Sequence, residues 1–408
     1  MRIIHTADLH LGQILYQNYS REDEHKHFFR QLEGWIEEYN PDALVVSGDV
    51  FDIQQPGVQV KMFFNEYFVS LHEKYPKLKI VITAGNHDSP SRLHADHLLW
   101  KAQNVHIVAQ APPYDIENAP TGWEENYIVR LESGYIVALP FLTGERPVQI
   151  QSLLDYVAKE NAESKPVVMM AHAAVTDMDF EGHDFHGQVK TVDASKMGRG
   201  YDYLALGHIH KPQTIGHRDD QKEEVVNYPA GVMRYSGSAL HVSCDERYRH
   251  SVSLVDIDRH GGSVGIRQLF INELRHFHIL PSDKEAYHSQ KETLDGLKAF
   301  ISGGGRGYFR LHIDYKADIP SDFNQTVYKM IENDGELRYN PKTIWRGQEE
   351  HEKTEKPMPT FEIADLQQMT DPMRFIEKTI DRYDGLSLED LKAAFQEVEE
   401  YLKIVQNE

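Results

Sequence analysis

The sequence predicts an α/β protein in which two β-sheets pack against each other and helices cover them. Short apolar, β-branched runs, such as "ALVV" at 43–46 and "IVIT" at 80–83, alternate with longer amphipathic segments such as Val58–Tyr75. Two further alternating runs, Gly134–Phe141 and Arg249–Asp258, indicate strands that complete a second sheet on the first. We therefore expect a sandwich of two sheets with helices on its outer faces.

Composition and charge narrow the classes of function. The 408 residues suffice for two to three domains of about 100–200 residues each. The single cysteine, Cys244, excludes an internal disulfide framework, a cysteine-rich zinc site and an iron–sulfur cluster. A net charge of −21 argues against broad adhesion to nucleic acid or to an anionic membrane, so a polyanionic substrate would need bound cations or a partner to attract it. The absence of a long apolar run and of a signal-peptide pattern predicts a cytoplasmic protein without membrane contact.

Polar side chains follow five of the predicted strands, at the point where each strand ends. Strands followed by helices make right-handed crossovers, which bring the carboxyl ends of parallel strands to one edge of a sheet, where ligands bind. We expect these side chains to converge there. They are Asp8 and His10, Asp49, the run Asn86, His87 and Asp88, His172, and the pair His208 and His210.

These side chains form a mixed set of nitrogen and oxygen donors without a thiolate. Such a set favours Mn²⁺, Fe²⁺ or Zn²⁺, and it is too large for one tetrahedral zinc. Two cations about 3.5–4 Å apart, bridged by one carboxylate, would use all of them. Asp8 and His10 would point to the same side if their segment is extended, because strands have a period of two. Each motif alone is also typical of a surface turn or of a satisfied buried histidine, whereas five in this arrangement indicate a metal site.

The order of the motifs resembles that of the calcineurin-like metallophosphoesterases. The motifs are "DLHLG", "GDVFD", "GNHD", a strand that ends in "AH", and "GHIH". More narrowly, "VDASKMGRGYDYLALGHIHKPQ" is similar to the last motif of the SbcD-type exonucleases, the nuclease subunits of double-strand-break repair complexes. The motifs cover residues 1 to about 240. The resemblance implies the metallophosphoesterase four-layer α/β/β/α sandwich with a small α/β capping domain and C-terminal helices.

The resemblance also implies a role for each site residue. One metal ion would be bound by Asp8, His10, Asp49 and His210, and the second by Asp49, Asn86, His172 and His208, with Asp49 as the bridge. The cations would be two divalent ions, Mn²⁺ before Fe²⁺ or Zn²⁺. His87 would contact the phosphate and protonate the leaving 3′ oxygen, with Asp88 as the neighbour that holds it.

The same resemblance predicts the domain organisation and the partners. The nuclease domain would span residues 1–270, a capping domain with a helix from about Lys284 to Phe300 would span 271–345, a linker 346–370, and two partner-binding helices 371–408. These last helices would grip the coiled coil of an SbcC-like ATPase, since the chain has no P-loop motif of its own. A homodimer through the apolar residues of the helix at Val60–Leu71 is also implied, although a helix that faces the core would show the same residues.

Residues and resemblance together predict a metal-dependent DNA nuclease, a 3′–5′ exonuclease and single-strand endonuclease that acts in DNA repair. A YhaO-like paralogue with another phosphodiester substrate is one alternative. A calcineurin-like phosphatase or small-molecule phosphodiesterase is another, which the capping segment and the terminal helices disfavour. A third is a non-catalytic scaffold subunit of an ATPase complex, which the intact set of metal-binding residues disfavours.

Overall fold

Two mixed β-sheets and a smaller third sheet form the part of the chain that the structure describes. The computed structural model describes residues 1–179, 191–217, 221, 223–243 and 245–346. Met1–Trp345 make up one compact unit. The predicted linker and the predicted partner-binding helices lie outside the described residues.

The strands, in chain order, are β1 (Arg2–Thr6), β2 (Ile14–Leu15), β3 (Tyr19–Ser20), β4 (Ala43–Ser47), β5 (Lys79–Thr83), β6 (Val105–Val108), β7 (Ile128–Arg130), β8 (Tyr135–Ala138), β9 (Val167–His172), β10 (Tyr203–Gly207), β11 (Gln213–Thr214), β12 (Val226–Tyr228), β13 (Val232–Tyr235), β14 (Ser251–Ile257), β15 (Val264–Phe270), β16 (Phe277–Leu280), β17 (Gly307–Asp314) and β18 (Leu337–Arg346). The α-helices are α1 (Glu22–Tyr39), α2 (Val58–Lys74), α3 (Pro90–His94), α4 (His97–Ala102), α5 (Pro147–Glu160), α6 (Gln290–Ser302) and α7 (Phe323–Ile331). Short 3₁₀ helices occur at Trp123–Tyr127 and Ala194–Met197.

The first sheet has seven strands in the order β12-β15-β14-β1-β4-β5-β6. Its strands β1, β4, β5 and β6 are parallel, β14 pairs antiparallel with β1, and β15 pairs antiparallel with β14. The second sheet has six strands in the order β11-β13-β10-β9-β8-β7, of which β8, β9, β10 and β13 are parallel. The prediction that the run at 249–258 completes the second sheet is wrong. It forms β14, which pairs with β1 in the first sheet and so extends that sheet beyond its parallel half.

The period-two alternation of the first sheet divides its side chains between two cores. Ile3 and Val45 point into the core between the sheets, while Ile4 and Leu44 face the helices. Helices α1 and α2 cover this outer face with aromatic side chains, and α5 covers the second sheet with aliphatic side chains. Fully buried Phe68 illustrates the energetics, since burial of such a side chain contributes about 1.5–3 kcal/mol. The predicted four-layer α/β/β/α sandwich is confirmed.

A third sheet of β16, β17 and β18 follows the sandwich, with helices α6 and α7 packed on it. It has its own apolar core, which includes fully buried Leu311 and Val327. Helix α6 begins six residues after the predicted start at Lys284, because the Ser289 side chain accepts a hydrogen bond from the Glu292 N–H and caps the helix there. The domain boundary near residue 270 stays a prediction. Among the described helices, none combines the length and apolarity that a membrane crossing needs.

Candidate metal centre

The structure brings together the ends of the five strands that the motifs follow. Strands β1, β4 and β5 are parallel neighbours in the first sheet, and β9 and β10 are parallel neighbours in the second. The sequence predicts these residues at the edge of a single sheet. The structure instead draws them from two stacked sheets whose carboxyl ends meet. In chain order they are Asp8 and His10, Asp49, Asn86 with His87 and Asp88, His172, and His208 with His210.

The backbone at this site is unusual. Four residues that are not glycine have a left-handed backbone there, with φ of 51° at Asp8, 46° at His10, 46° at Asp49 and 96° at His208. A conformation of this kind costs of the order of 1–3 kcal/mol per residue and persists only where the surroundings enforce it. Here the loops after β1 and β4 hold each other in this conformation. The N–H of Asp8 donates to the Gly48 carbonyl at 3.1 Å, and the N–H of His10 donates to the Asp49 carbonyl at 3.0 Å. The expectation that Asp8 and His10 lie on one side of an extended segment is therefore wrong.

One group of donors surrounds the side-chain oxygen of Asn86. That oxygen lies 3.0 Å from Nε2 of His172 and 2.9 Å from Nδ1 of His208. Nε2 of His172 also lies 3.3 Å from a carboxylate oxygen of Asp49. Nδ1 of His172 donates to the Ser47 carbonyl at 2.9 Å, so Nε2 is the nitrogen that faces the other donors. Asp49, His172 and His208 form a group that could hold one metal ion.

A second group lies beside the first and shares residues with it. Asp8, His10 and His210 present donor atoms that all lie within 4.8 Å of one another, and so do His10, Asp49 and His87. Asp49 thus belongs to two of the three groups, as a bridging carboxylate would. Nδ1 of His10 lies 3.3 Å from an oxygen of Asp52.

The donors fit divalent cations. Nε2 of His10 is buried and has no hydrogen-bond partner among the described residues, although buried polar atoms are almost always partnered. Its distance of 3.9 Å from Asp49 is too long for a hydrogen bond. A cation between these residues would give the nitrogen a partner. The nitrogen and oxygen donors, without a thiolate, are those that Mn²⁺, Fe²⁺ and Zn²⁺ accept.

Burial and mutual charge move the pKa values of the site residues in different directions. Burial is the largest influence on Asp8 and raises the pKa of its carboxyl group. Burial also acts to raise the pKa of Asp49, but His172 and His10 outweigh it and hold that pKa below its usual range. Burial acts to lower the pKa of His172, yet the Asp49 carboxylate raises it to about 9. Without a cation, protonated histidine therefore supplies the charge that balances Asp49.

His87 is the exposed member of the site. Its Nδ1 donates to the carbonyl of Asp52 at 2.7 Å, and its N–H donates to a carboxylate oxygen of Asp49 at 2.8 Å. The expectation that Asp88 holds the His87 ring is wrong. Asp88 is buried, and its two oxygens accept from the N–H groups of Val50, Phe51 and Gly85 at 2.8–3.0 Å. Asp88 thus joins the loops after β4 and β5. It does not hold the His87 ring, because neighbouring side chains in a tight turn point in different directions.

Sequence reasoning missed one residue that contacts the site. Glu246 is buried, and its carboxylate lies 3.2 Å from Nδ1 of His210. Burial acts to raise the pKa of Glu246, but the rings of His210 and His250, at 3.2 Å and 3.1 Å from its oxygens, outweigh it and hold the pKa below its usual range. The sequence carries no signal for this contact, since a lone glutamate in a polar loop is usually solvated.

The chain is similar in sequence to known phosphoesterases and nuclease subunits. The family model "Calcineurin-like phosphoesterase" matches residues 1–212, just over half of the chain. The SbcD subunit of the SbcCD nuclease from Rhodobacter capsulatus is 28% identical over 63% of this chain and 66% of its own length. The protein of the same name from Bacillus subtilis is 30% identical over 63% of this chain and 66% of its own. That from Escherichia coli K12 is 27% identical over 62% and 65%.

These alignments span slightly less than two thirds of each relative's length. Among solved structures, a Pseudomonas putida nuclease, MPE, aligns at a TM-score of 0.20 and 13% identity over 41% of this chain and 61% of that one. That likeness is too weak to carry an argument.

Proposed function

The chain belongs to the calcineurin-like phosphoesterase family, and from that premise we propose that it is a metal-dependent DNA nuclease of the SbcD type. The main support is the set of donors from five loops, which form overlapping groups around Asp49. The names of the three relatives support the choice of a nuclease over other phosphoesterases. A DNA substrate would place the protein in the cytoplasm.

We propose two sets of metal-binding residues. The first is Asp8, His10, Asp49 and His210, and the second is Asp49, Asn86, His172 and His208, with Asp49 common to both. Mn²⁺ is the proposed ion, with Fe²⁺ or Zn²⁺ as the other ions that this donor chemistry accepts. Two such cations lower the pKa of a water molecule and offset the negative charge that develops on phosphoryl oxygens.

His87 is the proposed acid for the leaving 3′ oxygen. Because Nδ1 donates to the Asp52 carbonyl, Nε2 is the nitrogen that can hold the transferable proton. The ring is further fixed by an edge-on contact with His10, with ring centres 4.9 Å apart. Exposure leaves the ring accessible to a phosphodiester, while its neighbours are buried. A positioned acid of this kind contributes about 10²–10⁴-fold to the rate.

Two protein partners belong to the proposal. An SbcC-like ATPase would bind the helices predicted at 371–408, in line with relatives that are named as one subunit of a nuclease.

A second copy of the chain would pack on α2 and α4, which expose Val58, Met62, Leu98 and Leu99 to solvent by 45–73%. Sedimentation velocity tests the dimer. Leu98→Glu should yield monomers, whereas Ile14→Glu, at an apolar residue 58% exposed outside α2 and α4, should not.

Degradation of an end-labelled linear duplex in Mn²⁺ tests the nuclease. We expect wild type and His276→Ala, which removes an exposed imidazole outside the site, to degrade the duplex. His87→Ala should be slower by about 10²–10⁴-fold while its content of bound metal is unchanged. Cleavage of bis-p-nitrophenyl phosphate without attack on DNA would instead favour a small-molecule phosphodiesterase. A wild-type protein that binds no divalent cation would favour the scaffold alternative.

A further inference from the structure

Glu246 is a buried carboxylate with a specific place beside the metal centre. Its side chain is 0% exposed, and glutamate is almost never fully buried unless it is paired. One carboxylate oxygen lies 3.2 Å from Nδ1 of His210. An ionised carboxylate can only accept a hydrogen bond, so the ring nitrogen must be the donor.

The second carboxylate oxygen is held on the side away from the metal centre. It accepts from the N–H of Val242 at 3.0 Å and lies 3.1 Å from Nε2 of His250. Nδ1 of His250 in turn donates to the Ser238 carbonyl at 2.9 Å. Both carboxylate oxygens thus have neighbours that fix their position, so the position of the carboxylate does not depend on His210 alone.

The segment that carries Glu246 is also anchored to the third sheet. The next residue back, Asp245, pairs with the guanidinium of Arg310 on β17 at 2.9 Å. The Arg310 side chain is only 2% exposed, so this pair is shielded on the arginine side. Breaking a shielded pair is costly, which favours a fixed segment.

We propose that Glu246 is a positioning residue that holds His210 in the orientation and tautomer needed to bind a metal ion. With Nδ1 as the donor to Glu246, Nε2 carries the lone pair that can reach a cation shared with Asp8 and His10. The inference rests on the proposed function, because it assumes that His210 binds one of the two cations.

The type of partner distinguishes His210 from His172 and His87, although not from His10, whose Nδ1 lies 3.3 Å from a carboxylate oxygen of Asp52. His172 and His87 donate to backbone carbonyls, of Ser47 and Asp52 respectively. His210 donates to a carboxylate, which places negative charge behind the ring and makes its other nitrogen a stronger ligand. Removal of such a partner typically weakens metal binding by about 10–100-fold.

Calorimetric titration of the full-length, metal-free chain with Mn²⁺ tests the proposal. We expect wild type to bind two ions, and Glu246→Gln to bind one of them about 10–100-fold more weakly. Glu273→Gln is the matched control. It alters another carboxylate–histidine pair, with His241 at 3.3 Å, which involves no proposed metal-binding residue, and it should bind Mn²⁺ as wild type does.

A double-mutant cycle separates positioning from a structural role. If Glu246 acts through His210, then Glu246→Gln should weaken Mn²⁺ binding in the wild type but not further in a His210→Ala background. The same fold loss in both backgrounds, or unchanged binding by Glu246→Gln, would overturn the inference and leave the proposed function intact. A wild-type chain that binds no Mn²⁺ would overturn both.

Discussion

Gly85→Ala should damage the metal centre without removing any of the proposed metal-binding residues. A β-carbon at Gly85 would lie 2.0 Å from a carboxylate oxygen of Asp49 and 2.2 Å from its backbone nitrogen. Ordinary contact begins at 3.4 Å, so the two loops would have to separate by roughly 1.4 Å. The backbone of Gly85 is not left-handed, so the effect is purely steric.

The magnitude follows from the packing. Forcing an extra carbon atom into a packed interior typically costs about 1–3 kcal/mol of unfolding free energy. A displacement of about 1 Å at a reacting centre can reduce the rate about 10²-fold. We therefore expect both losses in Gly85→Ala. Urea unfolding measures the first, and Mn²⁺-dependent hydrolysis of bis-p-nitrophenyl phosphate measures the second.

Gly34→Ala is the matched control for this substitution. Gly34 lies in α1, where a β-carbon would meet no described atom within 4 Å, and alanine in a helix is about 1 kcal/mol more favourable than glycine. This variant should be slightly more stable than wild type and equally active. Wild-type stability and activity in Gly85→Ala would refute the steric argument, because they would mean that the loops separate at no cost.

Asp8→Asn should raise the unfolding free energy of the metal-free protein, because burial disfavours the ionised carboxyl group and raises its pKa, at a cost of about 1.4 kcal/mol for each pKa unit. The same variant should gain less thermal stability from Mn²⁺ than wild type does, and a metal-free variant that melts at or below the wild type would contradict the reasoning. Burial and the charge of Arg21 lower the pKa of His25 to about 4, so the unfolded chain binds a proton there between pH 6.5 and 4 and stability falls as the pH falls through that window. Urea unfolding at pH 7 and 5 should show that His25→Gln loses up to about 2 kcal/mol less than wild type, and that His217→Gln, at an exposed histidine, does not differ from wild type.

The periodicity of apolar residues along the chain correctly predicts much of the fold. Helix α2 was predicted to begin at Val58 and does, and the run after Ala43 forms a fully buried parallel strand. The pairing of β14 could not be read from its sequence. Its alternation is satisfied equally by either sheet, and only the antiparallel register with β1 decides which one it joins.

The residue roles that the motifs could not predict depend on contacts between residues far apart in sequence. Asp88 and Asp52 are each one residue among several acids in the sequence. Only the fold shows that the Asp88 carboxylate accepts hydrogen bonds from backbone N–H groups of the loop after β4, and that the Asp52 carbonyl accepts one from His87. Glu246 is similar, since it meets His210 only because the segment that carries it runs past the end of β10. Such side chains have no fixed spacing to a motif.

The departure of Asp8 and His10 from an extended backbone has a physical explanation. Both residues were predicted in an extended segment, yet both have a left-handed backbone, as Asp49 and His208 do. Aspartate, asparagine and histidine are the side-chain-bearing residues that most often accept this conformation, and they are also common metal ligands. A loop that must turn sharply and bind a cation therefore selects the same residue types for both reasons. This overlap is why one such motif cannot be told from a turn, and why several strands that end in the same way were needed to indicate a metal site.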